Sequence, residues 1–149
     1  MVLFLGDMSS LEDLYQSKIL EFARMARDIK LLKYPNVSFT SKNPVCGDEV
    51  TIDLIINEDN IISHYGHKVR GCALCEASSG LLSKNVIGLN FKNSFKLKEN
   101  LSFWLNEKLD KFTFSEIENF SPVKKFKNRY KCVLLSFDAL QGACEKHIN

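Results

Sequence analysis

The run Val50-Thr51-Ile52-Asp53-Leu54-Ile55-Ile56 restricts more than any other stretch what this chain can fold into. Val50, Ile52, Leu54 and Ile56 alternate onto one face, the pattern of a half-buried strand. Asn57-Glu58-Asp59-Asn60 is a turn signal, and Ile61 to Arg70 reads as the partner strand of a hairpin. A hairpin returns its far end to its starting end. Gly71-Cys72 is therefore expected beside the loop Asn43-Pro44-Val45-Cys46-Gly47-Asp48. Val37 to Ser41 supplies a short edge strand. A small antiparallel three-stranded sheet follows.

Helical patterns surround this sheet. Ser9 and Ser10 are N-cap candidates, with Glu12 and Asp13 in the first turn. Leu11, Leu14, Tyr15, Ile19, Phe22 and Met25 recur at helical spacing and are expected in the core, before a turn at Lys33-Tyr34-Pro35-Asn36. Cys72 to Ile87 reads as a second helix, with Leu74, Ala77, Leu81 and Leu82 on one face and Gly88 as its stop. Its small Ala77-to-Gly80 run suits close approach to the sheet. A third helix lies within Phe91 to Leu109, carrying Phe95, Leu97, Leu101, Trp104 and Leu105. Phe112 to Phe120 is ambiguous, with a short helix from Ser115. Pro122 interrupts, Lys124 to Lys131 is expected as a basic loop, and Cys132 opens the last helix. The expected class is α+β, a small antiparallel three-stranded sheet with helices packed on it, in a single domain spanning 1–149.

Composition excludes several functions. With 45% hydrophobic and 26% charged residues the chain is a globular one. No apolar run approaches the roughly 20 residues needed to span a bilayer. Met1-Val2-Leu3-Phe4-Leu5-Gly6 is too short for a signal peptide, so a cytoplasmic location is expected. A net charge of +2 does not call for nucleic acid. Ten Lys or Arg against five Asp or Glu between Leu89 and Lys131 make a basic stretch, either a solvated surface or a guide for an acidic protein partner.

Five cysteines without a secretory signal argue for metal ligation or thiol chemistry rather than disulfides. Cys46, Asp48, Cys72 and Cys132 are three thiols and a carboxylate, each beside a turn or a helix start, and could make a four-coordinate site. Helix N-termini at Cys72 and Cys132, with Arg129 and Lys131 nearby, favour thiolates. One oxygen among soft ligands makes a labile site, suited to transfer. Cys75 lies one helical turn from Cys72, so this C-x-x-C could be a redox or zinc pair. Cys144 reads as a small buried hydrophobe. His64 and His67 face opposite sides of a strand and share no metal.

The order Asn43-Pro44-Val45-Cys46-Gly47-Asp48, Gly71-Cys72 with Ala77-Ser78-Ser79, then Cys132 opening a helix resembles the U-type iron–sulfur cluster assembly scaffolds: IscU, SufU and the N-terminal domain of NifU. The likeness runs from about Leu11 to Leu140. It implies that Cys46, Asp48, Cys72 and Cys132 bind zinc or iron, or a nascent 2Fe–2S cluster. It implies sulfur received from a cysteine desulfurase and delivery to recipient apo iron–sulfur proteins or a carrier. IscU proteins place a histidine just before the third cysteine, and Lys131 stands there instead. Ser121-Pro122-Val123-Lys124 echoes a chaperone-binding motif but lies too far from Cys132. The SufU-like branch, which holds zinc and accepts sulfur, is the nearer match. Cys75 departs from the family pattern.

The leading expectation is a non-enzymatic scaffold in which Cys132 accepts sulfur. The alternatives are a zinc-dependent sulfurtransferase that holds no cluster, and a structural zinc domain used only for binding. Cysteine hydrolase chemistry would need a Cys–His pair. His147 near Cys144 is the one such neighbour in sequence.

Overall fold

The computed structural model describes the backbone of residues 2–148 and the side chains of residues 11–148. Strands β1 (Val37–Lys42), β2 (Glu49–Ile56) and β3 (Ile62–Arg70) form an antiparallel sheet in that order. The registers Phe39↔Ile52 and Ile52↔His67 fix which side chains share a face. Val50, Ile52 and Leu54 are fully buried, so the alternating face is the core face. Burying each such side chain contributes about 1.5–3 kcal/mol.

Helix α1 spans Val2–Asp28, α2 Ala73–Asn85, α3 Phe91–Leu105 and α4 Tyr130–Ile148. α4 lies across β1 and β2, α3 packs on α4, and α2 is held between α1 and α4. Trp104, Leu81, Leu82, Leu101, Phe120 and Phe137 fill the space between them.

Several expectations are corrected. α1 does not start at Ser9 or Ser10 but runs through them. Leu11 and Leu14 are about half exposed, whereas Phe22, Ala23 and Ala26 further along α1 are its buried residues. The small residues of α2 admit helices rather than the sheet. The α1 backbone at Phe22 lies directly against Gly80, and Ser78 Oγ donates to the Val133 carbonyl of α4 at 2.5 Å. Pro122 sits inside a 3-10 helical run, Ser115–Lys125, which needs no unbroken i→i−4 ladder. Lys124 to Lys131 is not an open loop either: a 3-10 turn at Lys127–Arg129 leads directly into α4.

His64 is exposed, whereas His67 points into the core. The His67 ring bonds the Tyr65 hydroxyl through Nδ1 (2.6 Å) and the Ala26 carbonyl through Nε2 (2.8 Å). It is a structural tie between β3 and α1. Burial lowers its pKa, with the Ala26 bond acting in the opposite direction.

Candidate metal centre

The Asn43–Asp48 loop joining β1 to β2 is closed from within. Asn43 N–H donates to the Asp48 carbonyl and Gly47 N–H to the Asn43 carbonyl, both at 2.8 Å. The Asn43 side chain is buried and accepts from Val45 N–H at 3.2 Å. Gly47 takes φ +78°, a region that L side chains avoid. The hook leaves Val45 and Cys46 exposed and turns Asp48 inward to 6% exposure.

The strand ladder then does what the hairpin argument requires. Glu49 pairs with Arg70, so Gly71 arrives opposite Asp48. The fit is tight: a Cβ on Gly71 would lie 2.9 Å from Asp48 Cγ and 3.1 Å from Cys75 Cβ. Cys72 is the N-cap of α2, half-buried, and its side chain caps no backbone N–H. Its thiol donates instead to Asp48 Oδ2, at 3.8 Å. Cys132 comes from the first turn of α4 and is 4% exposed.

Cys46 Sγ, a carboxylate oxygen of Asp48 and Cys132 Sγ all lie within 4.8 Å of one another. Cys72 flanks this set, hydrogen-bonded to Asp48 and close enough to Cys132 to bear on its charge. Of the four residues singled out in the sequence, Cys46, Asp48 and Cys132 form one close group, and Cys72 stands at its edge beside Asp48, outside that grouping. Cys75 lies fully buried in the first turn of α2. Cys144 is buried in the core, where burial above all pushes its thiol up to about 12.

The electrostatics overturn one expectation. Burial pushes the Cys132 thiol up to about 12, and Cys72, Asp48 and Cys46 push the same way, so the helix terminus does not leave it a free thiolate. Cys75 is likewise raised, by burial first and then by Asp48 and the other three thiols. A crowded, buried thiol such as Cys132 suits a cation, which displaces its proton on binding. Three sulfurs and one oxygen fit zinc, or the iron of a cluster.

An open cavity of about 400 Å³ leads to Cys46 and Cys132, walled by Asn43, Val45, Lys127, Asn128, Arg129 and Lys131. The basic stretch of the sequence therefore partly serves as a collar on the site. Two features escaped the sequence reading. One is Asn43 as the buried clasp of the loop, signalled only by its Asn-Pro dipeptide. The other is Lys127, which joins Arg129 and Lys131, already expected near Cys132, around the mouth.

The architecture defines a class first: an α+β chain whose three-stranded sheet, one loop and two helix starts gather three thiols and a carboxylate. Residues 14–146 match the NifU-like N-terminal domain, and the chain belongs to that family. It is 28% identical over 134 residues to the iron–sulfur cluster assembly scaffold protein IscU of Thermotoga maritima, covering 89% of this chain and 94% of the relative. It is 24% identical over 140 residues to the zinc-dependent sulfurtransferase SufU of Bacillus subtilis, covering 93% and 94% respectively. The crystal structure of the N-terminal part of a NifU-like protein from Brucella abortus superposes with a TM-score of 0.80 at 31% identity, covering 92% of this chain and 95% of that one. No helix among the described residues is long and apolar enough to cross a membrane.

Proposed function

We propose that this protein is an iron–sulfur cluster assembly scaffold that takes sulfur from a cysteine desulfurase and passes it on to recipient apo proteins or a carrier. Zinc, iron or a nascent 2Fe–2S cluster is held as cargo by Cys46, Asp48, Cys72 and Cys132. The observation that carries this reading is the mutual approach of Cys46, Asp48 and Cys132 within 4.8 Å, with Cys72 bonded to the carboxylate. Cys132 is the sulfur acceptor. It lines the cavity through which an incoming persulfide reaches the site, and the basic collar favours a partner with an acidic surface. Free thiols throughout suit the reducing cytoplasm.

Anaerobic reconstitution with iron and sulfide, read by visible absorption, tests the scaffold. A cluster spectrum is expected from the parent protein and none from Cys46→Ser. A parent chain that binds zinc yet never develops the spectrum would establish the second reading, a zinc-dependent sulfurtransferase, which Lys131 in place of histidine favours. Cys132→Ser should take up little sulfur from a persulfide-loaded desulfurase; undiminished uptake removes Cys132 from its role.

A further inference from the structure

Cys75 is left over when the four donors are assigned, and its setting differs from that of the chain's other spare thiol. Cys144 packs among apolar core residues. Cys75 shares its surroundings with Asp48, Cys46, Cys72 and Cys132, all close enough to bear on its charge. It occupies the third position of α2, and Cys72 is the N-cap of the same helix. The first turn is closed, Glu76 N–H donating to the Cys72 carbonyl at 3.0 Å. Residues three apart on a helical turn have Cα atoms about 5 Å apart, from the helix rise and radius. That separation lies inside the span a disulfide bridges. An N-cap side chain and that of the third helical residue lean toward one another, as in a capping box. The Cys72 side chain caps nothing and is partly open to solvent, whereas Cys75 is sealed.

A half-open thiol at a helix start, with a sealed thiol one turn below it, is the arrangement of a dithiol couple: the outer sulfur reacts and the inner one resolves. We infer that Cys72 and Cys75 form such a couple, and that it reduces sulfane sulfur to sulfide within the site. The inference rests on the sulfur-acceptor reading above. Sulfur carried on Cys132 passes to Cys72, which sits across the Asp48 carboxylate from it in the same site, giving a Cys72 persulfide and restoring the Cys132 thiol. Cys75 then attacks the inner sulfur, the Sγ of Cys72. A Cys72–Cys75 disulfide forms, the Cys72 sulfur–sulfane bond breaks, and the outer sulfur leaves with the proton of Cys75 as hydrogen sulfide. The two thiol sulfurs are oxidised and the sulfane sulfur is reduced by the same two electrons. A small-molecule thiol such as dithiothreitol resets the couple for another round.

The test uses the full-length, reduced, metal-free protein and glutathione persulfide in a single turnover without added reductant. Released sulfide is assayed, and the cysteines are mapped by peptide mass spectrometry. The parent should release sulfide in step with a Cys72–Cys75 disulfide. Cys75→Ser and Cys75→Ala should retain the sulfane sulfur on Cys72 or Cys132, with sulfide at background. Both variants should still build the cluster when sulfide is supplied directly, which separates loss of the couple from loss of the fold or of the scaffold. Persulfide uptake by the parent with no Cys72–Cys75 disulfide, or equal sulfide release from the Cys75 variants, overturns the couple and leaves the acceptor reading standing. Failure of the parent to take up sulfur at all overturns both.

Discussion

Gly71→Ala is the substitution that best separates the shape of the site from the stability of the fold. The new Cβ would stand 2.9 Å from Asp48 Cγ, 3.0 Å from Asp48 Oδ1 and 3.1 Å from Cys75 Cβ, where carbon atoms in contact prefer about 3.5–4.0 Å. Gly71 is not among the glycines with positive φ, so its backbone tolerates alanine and the whole effect is steric. Both neighbours are buried, and each must shift by about half an ångström to restore contact distance. Overpacking of this kind costs about 1–3 kcal/mol. Alanine offsets about 0.4–1 kcal/mol of it by restricting the unfolded chain. A net loss of about 1–2 kcal/mol is expected in urea unfolding with chelator present, or roughly 2–4 °C of Tm per kcal/mol. Zinc affinity, measured against a chromophoric chelator, should fall about tenfold or more because a donor has been displaced. Gly88→Ala is the control: its φ is +94° with no atom within 4 Å of a Cβ, so it should lose stability but keep zinc affinity. Equal zinc affinity in Gly71→Ala and the parent would refute the claim that Gly71 exists to let Asp48 close on the site.

Burial holds the His67 pKa below its usual value, so between that lowered value and about 6.5 the unfolded chain binds a proton that the native chain does not. Stability therefore falls as pH drops below about 6.5, and His67→Gln should flatten that part of the slope in urea midpoints taken across the interval. Cys144→Ser places a hydroxyl in a fully buried core position and should cost about 1–3 kcal/mol while zinc stoichiometry stays unchanged; a lost metal would make Cys144 part of the site. Lys124 Nζ lies 4.1 Å from the centroid of the Trp104 ring, a contact of about 0.5–2 kcal/mol. Lys124→Met should remove it and shift the fluorescence of this single tryptophan; an unchanged spectrum and midpoint would refute the contact.

The sheet was legible because period-two alternation from Val50 to Ile56 admits one face and one register, and because the Asn57–Asn60 turn leaves the returning strand no other place. That reasoning also brings Cys46, Asp48 and Cys72 together. It says nothing about Cys132. That residue is delivered by α4, whose course is set by its packing across β1 and β2 and by the bond from Ser78 to the Val133 carbonyl. Such contacts have no local signature, so the sequence marks Cys132 as a candidate ligand at a helix start, and the family resemblance is what favours its joining the other donors. The start of α1 was misread because Ser9 and Ser10 carry capping chemistry in a stretch where the helix simply continues. The apolar spacing of Leu11 and Leu14 matches a core face, yet both are about half exposed among the described residues. Protonation was misread because charge near a helix start is visible in a sequence, whereas the burial that outweighs it at Cys132 is not.

Where the donors are attached decides how the site behaves when its cargo leaves. Cys72 and Cys132 ride on α2 and α4, and these helices are joined through Ser78 Oγ to the Val133 carbonyl and to Ser136 Oγ at 3.2 Å. β1, α3 and α4 are tied in turn by Asp138, which accepts from Ser41 Oγ at 2.7 Å and from Lys98 Nζ at 2.5 Å. None of these contacts involves a donor group, so the frame does not depend on a metal. Cys46 alone stands on the exposed hook, where a ligand can swing out at little cost to the core. A domain whose metal supplies its folding energy unfolds under chelation. This one has a core of its own, and burial holds the proton on its Cys132 thiol, so removing the cation does not leave a buried thiolate there. Chelation is therefore expected to preserve the far-ultraviolet circular dichroism of the parent, and its collapse would favour a purely structural zinc domain.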